Sequence, residues 1–149
     1  MKKELSKQKN KVITAVMVFV FDNENNILLL NRIDNNNWEP VKGGINPGET
    51  WQEAAIRELN EETGFNPKNS PELIVTVDDE LDTKQGEKTK IRGYVSYCHI
   101  DGVRSIPRLE EENGEKEHRA YRWITKEDLK KEKIYPPAAD KQKWILIND

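Results

Sequence analysis

Three glutamates fall at i, i+3 and i+4 in the stretch Arg57-Glu58-Leu59-Asn60-Glu61-Glu62. At 3.6 residues per turn, Glu58, Glu61 and Glu62 share one helix face. Like charges so spaced destabilise a helix by roughly 0.2–0.5 kcal/mol per pair, so a purely structural surface more often intersperses lysine. Hard divalent cations such as Mg²⁺ take oxygen ligands, and this face offers three carboxylates on a rigid element. A solvated acidic face is the alternative that these six residues alone leave open. Immediately upstream lies Val41-Lys42-Gly43-Gly44-Ile45-Asn46-Pro47-Gly48-Glu49. Its glycines permit tight turns and close approach of backbone to a ligand.

The element that must carry these carboxylates has well-marked ends. Thr50 and Glu53 form a capping box, each side chain meeting a free N–H of the first turn. Gly64 can close the helix in the left-handed conformation with Phe65 packing behind it, so the helix is expected over Thr50 to Thr63. Around it, the β-branched and aromatic run Val12 to Phe21 reads as a buried strand, and Asp22 to Asn26 as a turn. Ile27 to Leu30 reads as a second strand, followed by the polar loop Asp34 to Asn37. Leu73 to Val77 and Ile91 to Ile100 are expected strands separated by a polar loop, Asp82 to Lys90. Gly102 to Gly114 is a loop ending in the acidic cluster Glu110, Glu111, Glu112 and Glu115. Arg119 to Ile124 is a last strand, and Thr125 caps a short helix. Pro136-Pro137 precede a C-terminal helix with Trp144, Ile145 and Ile147 on its apolar side. One α/β domain over 11–149, after a basic tail at 1–10, accounts for the pattern.

Composition narrows the function. The chain has 149 residues, with 24 Lys plus Arg against 27 Asp plus Glu. That near balance argues against a surface built wholly for nucleic acid. Cys98 is the only cysteine, which excludes an intramolecular disulfide and a cysteine-cluster zinc site. His99 and His118 are the only histidines, so His-rich metal chemistry is also excluded. The longest apolar run, Ala15 to Phe21, is far short of the roughly 20 residues that span a bilayer. No signal-type cleavage site follows the basic N-terminus, and the expected location is the cytoplasm.

Gly43, five residues, Glu49, seven residues, then Arg57-Glu58-Leu59-Asn60-Glu61-Glu62-Thr63-Gly64-Phe65 fit the Nudix box at every fixed position, and the chain resembles a Nudix hydrolase. The resemblance implies an α/β/α sandwich with a mixed β-sheet, in which the box forms a loop–helix–loop metal site. It implies Glu58, Glu61 and Glu62 as ligands of Mg²⁺, with Mn²⁺ as a substitute, and an Arg57–Glu49 pair that positions the ligand glutamates. The chemistry it implies is hydrolysis of a phosphoanhydride in a nucleoside polyphosphate, where divalent ions offset charge and acidify water. The general base would be Glu61 or Glu117.

Two flanking segments are similar to those of the asymmetrical diadenosine tetraphosphate hydrolases. Trp38-Glu39-Pro40-Val41-Lys42-Gly43 resembles their W-x-P-x-K-G, and Glu117-His118-Arg119-Ala120-Tyr121-Arg122-Trp123 their E-H-x-A-Y-R-W. By that resemblance Glu117 is a further metal ligand or the base, and Tyr121 stacks on adenine, a contact worth about 1–3 kcal/mol. Lys42 and Lys88 hold distal phosphates, Gly43 and Gly44 border the substrate, and His118 contacts phosphate or supports Glu117. The implied reaction is diadenosine tetraphosphate to ATP and AMP. Release of pyrophosphate from (d)NTPs or an RNA 5′ end is an alternative, and a non-catalytic nucleotide-sensing module is one from another class. The expected partner is a nucleotide, with no membrane and no nucleic acid beyond an RNA 5′ end, bound by a monomer or homodimer.

Overall fold

A computed structural model describes residues 12–82, 86 and 88–148. The tail expected over 1–10 lies outside the described residues. In chain order come β1 (Val12–Phe21), β2 (Ile27–Arg32), β3 (Trp38–Glu39), β4 (Val41–Gly44) and α1 (Trp51–Thr63). They are followed by β5 (Glu72–Asp82), β6 (Lys88–His99), β7 (His118–Ile124), α2 (Lys126–Lys131) and α3 (Pro137–Asn148).

β1 is the axis of the sheet because its apolar run is buried on both faces. Val16, Val18 and Val20 point toward α1 and pack with Ala54, Ala55 and Leu59. Met17, Phe19 and Phe21 point the other way, into a second core with Leu129, Ala139 and Leu146 of α2 and α3. A mixed sheet thus lies between helices. β6 runs parallel to β1 along its whole length, and β5 pairs antiparallel to β6.

β1 and β2 meet only at Phe21 and Ile27, beside the turn that joins them. Beyond it they diverge, and β3 and β4 fill the gap. β3 pairs with β2 at Leu30 and Asn31, while β4 pairs with β1 from Ala15 to Val18. Pro40, lacking an N–H, falls between these two short strands, where no ladder bond is lost. β7 covers the other edge of β2.

Three expectations change. The loop expected over Asp82 to Lys90 is shorter, because β5 and β6 continue to the pair Asp82 and Lys88. This end of the ribbon is exposed and polar, carrying the cross-strand pair Arg92–Asp78 at 2.9 Å, so hydrophobic alternation does not mark it. The loop that the box resemblance implies ahead of α1 starts later, because the strand Val41–Gly44 takes in the first two residues of the box. In α3, Trp144 and Ile145 are exposed, and Ala139, Lys143 and Leu146 face inward; the side chain of Ile147 lies outside the described residues. Among the described residues, no helix is long and apolar enough to cross a membrane.

Candidate active site

The expected capping box is present: Glu53 N–H donates to Thr50 Oγ1 at 3.1 Å and Thr50 N–H to Glu53 Oε1 at 2.9 Å. Gly64 closes α1 at φ 77°. Between these ends, Ala54, Ala55 and Leu59 seat the helix on the sheet and fix its rotation. Glu62, one turn beyond Leu59, is buried with them at 3% exposure. The Glu58 side chain is 12% and that of Glu61 42% exposed, so the acidic face slopes from the core out to solvent.

Arg57 organises this face. Its Nε and Nη2 donate to both Glu49 oxygens at 2.8 and 2.9 Å, a bidentate clamp. Nη1 donates to Glu58 Oε1 at 2.8 Å and Glu61 Oε2 at 3.3 Å, and Nη2 also reaches the Gly44 carbonyl at 2.8 Å. The Glu49 carboxyl is thereby held down to about 2, chiefly by the Arg57 hydrogen bonds. Gly43 makes room for Glu58: a Cβ there would lie 2.1 Å from the Glu58 carboxyl carbon. The missing side chain of Gly43 is the cradle for that carboxylate.

Neither oxygen of Glu62 has a hydrogen-bond partner. Burial, and then the neighbouring Glu58, push its carboxyl well above the ordinary value, and burial also raises that of Glu58. Glu117 is exposed, and its charge contributes to the shift at Glu62. Unsatisfied carboxylate oxygens crowded against others suit a hard divalent cation, whose oxygen donors these residues supply. Glu58, Glu61 and Glu62 fit such an ion.

A NUDIX domain family model matches residues 11–145. The chain belongs to the NUDIX family. An RNA pyrophosphohydrolase of Erythrobacter litoralis is 50% identical over 50 residues, 32% of this chain and 30% of that protein. A putative 8-oxo-dGTP diphosphatase of Bacillus subtilis is 41% identical over 61 residues, 41% of each chain. The chain thus spans less than half the length of these relatives. Among solved structures, a MutT protein from Methanosarcina mazei is similar with TM-score 0.62 and 23% identity, covering 93% of this chain and 94% of that one. An Ap4A hydrolase from C. elegans is similar with TM-score 0.60 and 20% identity, covering 91% and 97%. These likenesses establish the α/β Nudix fold.

The structure brings Gly43, Gly44, Glu49, Arg57, Glu58, Glu61 and Glu62 together, and Glu117 lies near enough for its charge to act on Glu62. Lys42 stands at the edge of this group, its Nζ 3.7 Å from Glu39 Oε1 and 5.8 Å from the Tyr135 ring centroid. Lys88 is not brought in: it sits five residues before Gly93, the partner of Ala15, about 16 Å along the strand, and is 3.8 Å from Glu80. Tyr121 is half-buried against the α1-side core, and Trp123 packs there too with its Nε1–H on the Ser105 carbonyl at 2.8 Å. His118 is 1% exposed and therefore does not meet phosphate. Cys98 is buried, its thiol pushed up to about 12, and takes no part.

Two features escaped the sequence reading. Glu111 is raised by burial and by Glu117 and Glu61, which places it beside the acidic face; its membership of a run of glutamates hid it. Glu39 is buried between charged partners, and nothing in its spacing marks it. On the other face of β1, an open groove of about 390 Å³ runs past Ile13, Ala15, Met17 and Val77 to Lys42, Gly43 and the exposed ring of Tyr135.

Proposed function

We propose that this chain is a divalent-cation-dependent hydrolase that cleaves a phosphoanhydride in a nucleoside polyphosphate. The observation that carries this reading is the buried Glu62 carboxylate, unpartnered and set beside Glu58 and Glu61. Glu58, Glu61 and Glu62 would hold Mg²⁺ or Mn²⁺, with Glu117 as a further ligand or base. Such an ion offsets the charge of phosphate oxygens and lowers the pKa of water. The remaining work falls to side chains. Arg57, locked by Glu49, keeps Glu58 and Glu61 in place. Glu61 or Glu117 accepts the proton of the attacking water. The nucleoside lies in the apolar groove, where Tyr135 offers an open aromatic face and Lys42 meets the phosphates. Tyr121, largely committed to packing, is left a smaller edge for a second base.

The preferred substrate is diadenosine tetraphosphate, split into ATP and AMP in the cytoplasm. The segments at 38–43 and 117–123 and the fold shared with an Ap4A hydrolase support it. A second reading, pyrophosphate release from an RNA 5′ end or a (d)NTP, is favoured by the relatives named for those activities. Product analysis with Mg²⁺ and both substrate classes tests the choice. ATP plus AMP as the fastest turnover supports the first reading; pyrophosphate from triphosphates moves the chain to the second. Inactivity with both ions across the panel overturns the hydrolase.

A further inference from the structure

β3 and β7 lie on opposite edges of β2, with Glu39 opposite Leu30 and His118 opposite Arg32. The register of β7 shifts between Asn31 and Arg32, where one extra residue interrupts the alternation. Such a bulge re-aims a side chain. Here it brings His118 to the α1 face together with Tyr121, although the two are three apart in sequence. The imidazole Nε2 then lies 2.9 Å from Glu39 Oε2 and 3.8 Å from Glu62 Oε1. All three side chains are nearly sealed, His118 at 1%, Glu39 at 0% and Glu62 at 2% exposure.

The arrangement is a choice between two carboxylates. Among the described residues, two carboxylates and no donor face Nε2, which favours the tautomer with its hydrogen there, and the shorter distance gives that hydrogen to Glu39. Arg32 Nη1 at 3.3 Å and Lys42 Nζ at 3.7 Å flank Glu39 and balance its charge. Glu62 is left with both oxygens free. We infer that Glu39 is a positioning residue: by engaging His118, it keeps the imidazole N–H from capturing Glu62 and so leaves that carboxylate available to the cation. The inference rests on the cation reading above. Glu39, Glu62 and His118 also lie within 4.8 Å of one another as an O, O, N set. Yet Arg32 and Lys42 already occupy the surroundings of Glu39, and a second cation there would face both.

Mn²⁺ binding without substrate, followed by electron paramagnetic resonance, tests the role directly. Glu39→Met removes the acceptor, so His118 turns to Glu62 and the Kd for Mn²⁺ rises about 10- to 100-fold, the range of outer-shell changes. Glu39→Gln, which restores an acceptor, recovers most of that loss. Glu39→Met with His118→Phe also recovers it, because no donor remains to capture Glu62. A merely structural residue would not be rescued by a second core substitution. Wild-type affinity in Glu39→Met, or a double variant no better than the single, overturns the inference. Failure of the wild type to bind Mn²⁺ overturns the cation reading itself. Tight metal that survives chelation and is lost in His118→Phe would overturn the inference in favour of an inner site. Should Glu39→Met not fold, ¹⁵N spectra of wild-type His118 decide: Nε2 protonated with and without Mg²⁺ supports the pair, and Nε2 unprotonated overturns it.

Discussion

Two buried carboxylates at opposite ends of the sheet receive opposite treatment. Asp22, 1% exposed in the turn after β1, accepts from the N–H groups of Glu24 and Asn26 at 2.9 Å, the Asn26 amide at 2.9 Å and Arg104 N–H at 2.8 Å. Burial pushes its carboxyl up, but these hydrogen bonds, Arg104 foremost, outweigh burial and hold it below the ordinary value. Glu62, equally buried at the C-terminal end of α1, meets no donor group and is displaced upward, first by burial and then by the hydrogen bond its protonated form makes to Glu58. A buried charge is tolerable when satisfied and expensive when not. The Asp22 corner is thus finished as a structure, whereas the Glu62 corner is unfinished without a ligand. The contrast separates a carboxylate that folds the chain from one kept for chemistry.

The largest expected effects fall on activity at the unfinished corner. Glu61→Gln should lower kcat about 10²- to 10⁴-fold if Glu61 is the base, with melting unchanged because its side chain is 42% exposed. Wild-type turnover would leave the base to Glu117. Gly43→Ala places a methyl in the cradle of Glu58 and should cost about 10²-fold in kcat, the effect of an ångström-scale misplacement. Undiminished turnover there would show that the Glu58 position is not critical. Smaller effects fall on stability and differ in sign between the corners. Asp22→Asn turns an amide NH₂ toward existing donors and should destabilise the fold by about 1–3 kcal/mol. Glu62→Gln should instead stabilise the metal-free protein by about 1 kcal/mol while abolishing its response to Mn²⁺. Denaturant melts in a chelator compare the two, and equal signs would dissolve the contrast.

The sequence displays the finished parts well. The capping box, the left-handed Gly64 and the β-branched run of β1 are local signals, and each forms where its residues predict. The acidic face is equally legible, because i, i+3, i+4 spacing survives intact on a helix. What is hidden depends on tertiary approach. Pro40 and two glycines disguise β4, whose role is to lie against β1 and leave room for Glu58. Glu39 reads as one charge in a polar-flanked segment until β3 and β7 bring it to His118. Tyr121 looks available for stacking in a motif, yet core packing takes most of its surface, and the open ring comes from Tyr135, which belongs to no motif.

The last and smallest effect concerns pH. The unfolded chain releases the Glu62 proton near 4.5, while the folded protein holds it to higher pH. Over that interval the folded state binds more protons, so the stability of the metal-free protein falls as pH rises above 4.5. Asp22 behaves in the opposite sense. Its folded value lies below 3.8, so its contribution is complete above 3.8 and is lost as pH falls through the folded value. Melts of metal-free protein from pH 3 to pH 8 should therefore decline on both sides. Glu62→Gln should make only the upper limb shallower and Asp22→Asn only the lower, while Glu58 above and Glu49 below keep part of each slope. Saturating Mg²⁺ should make the upper limb of the wild type shallower as the substitution does, since the cation supplies what the buried carboxylate lacks. An upper limb unchanged in Glu62→Gln would mean that Glu62 finds a partner in solution, and the cation would lose its strongest support.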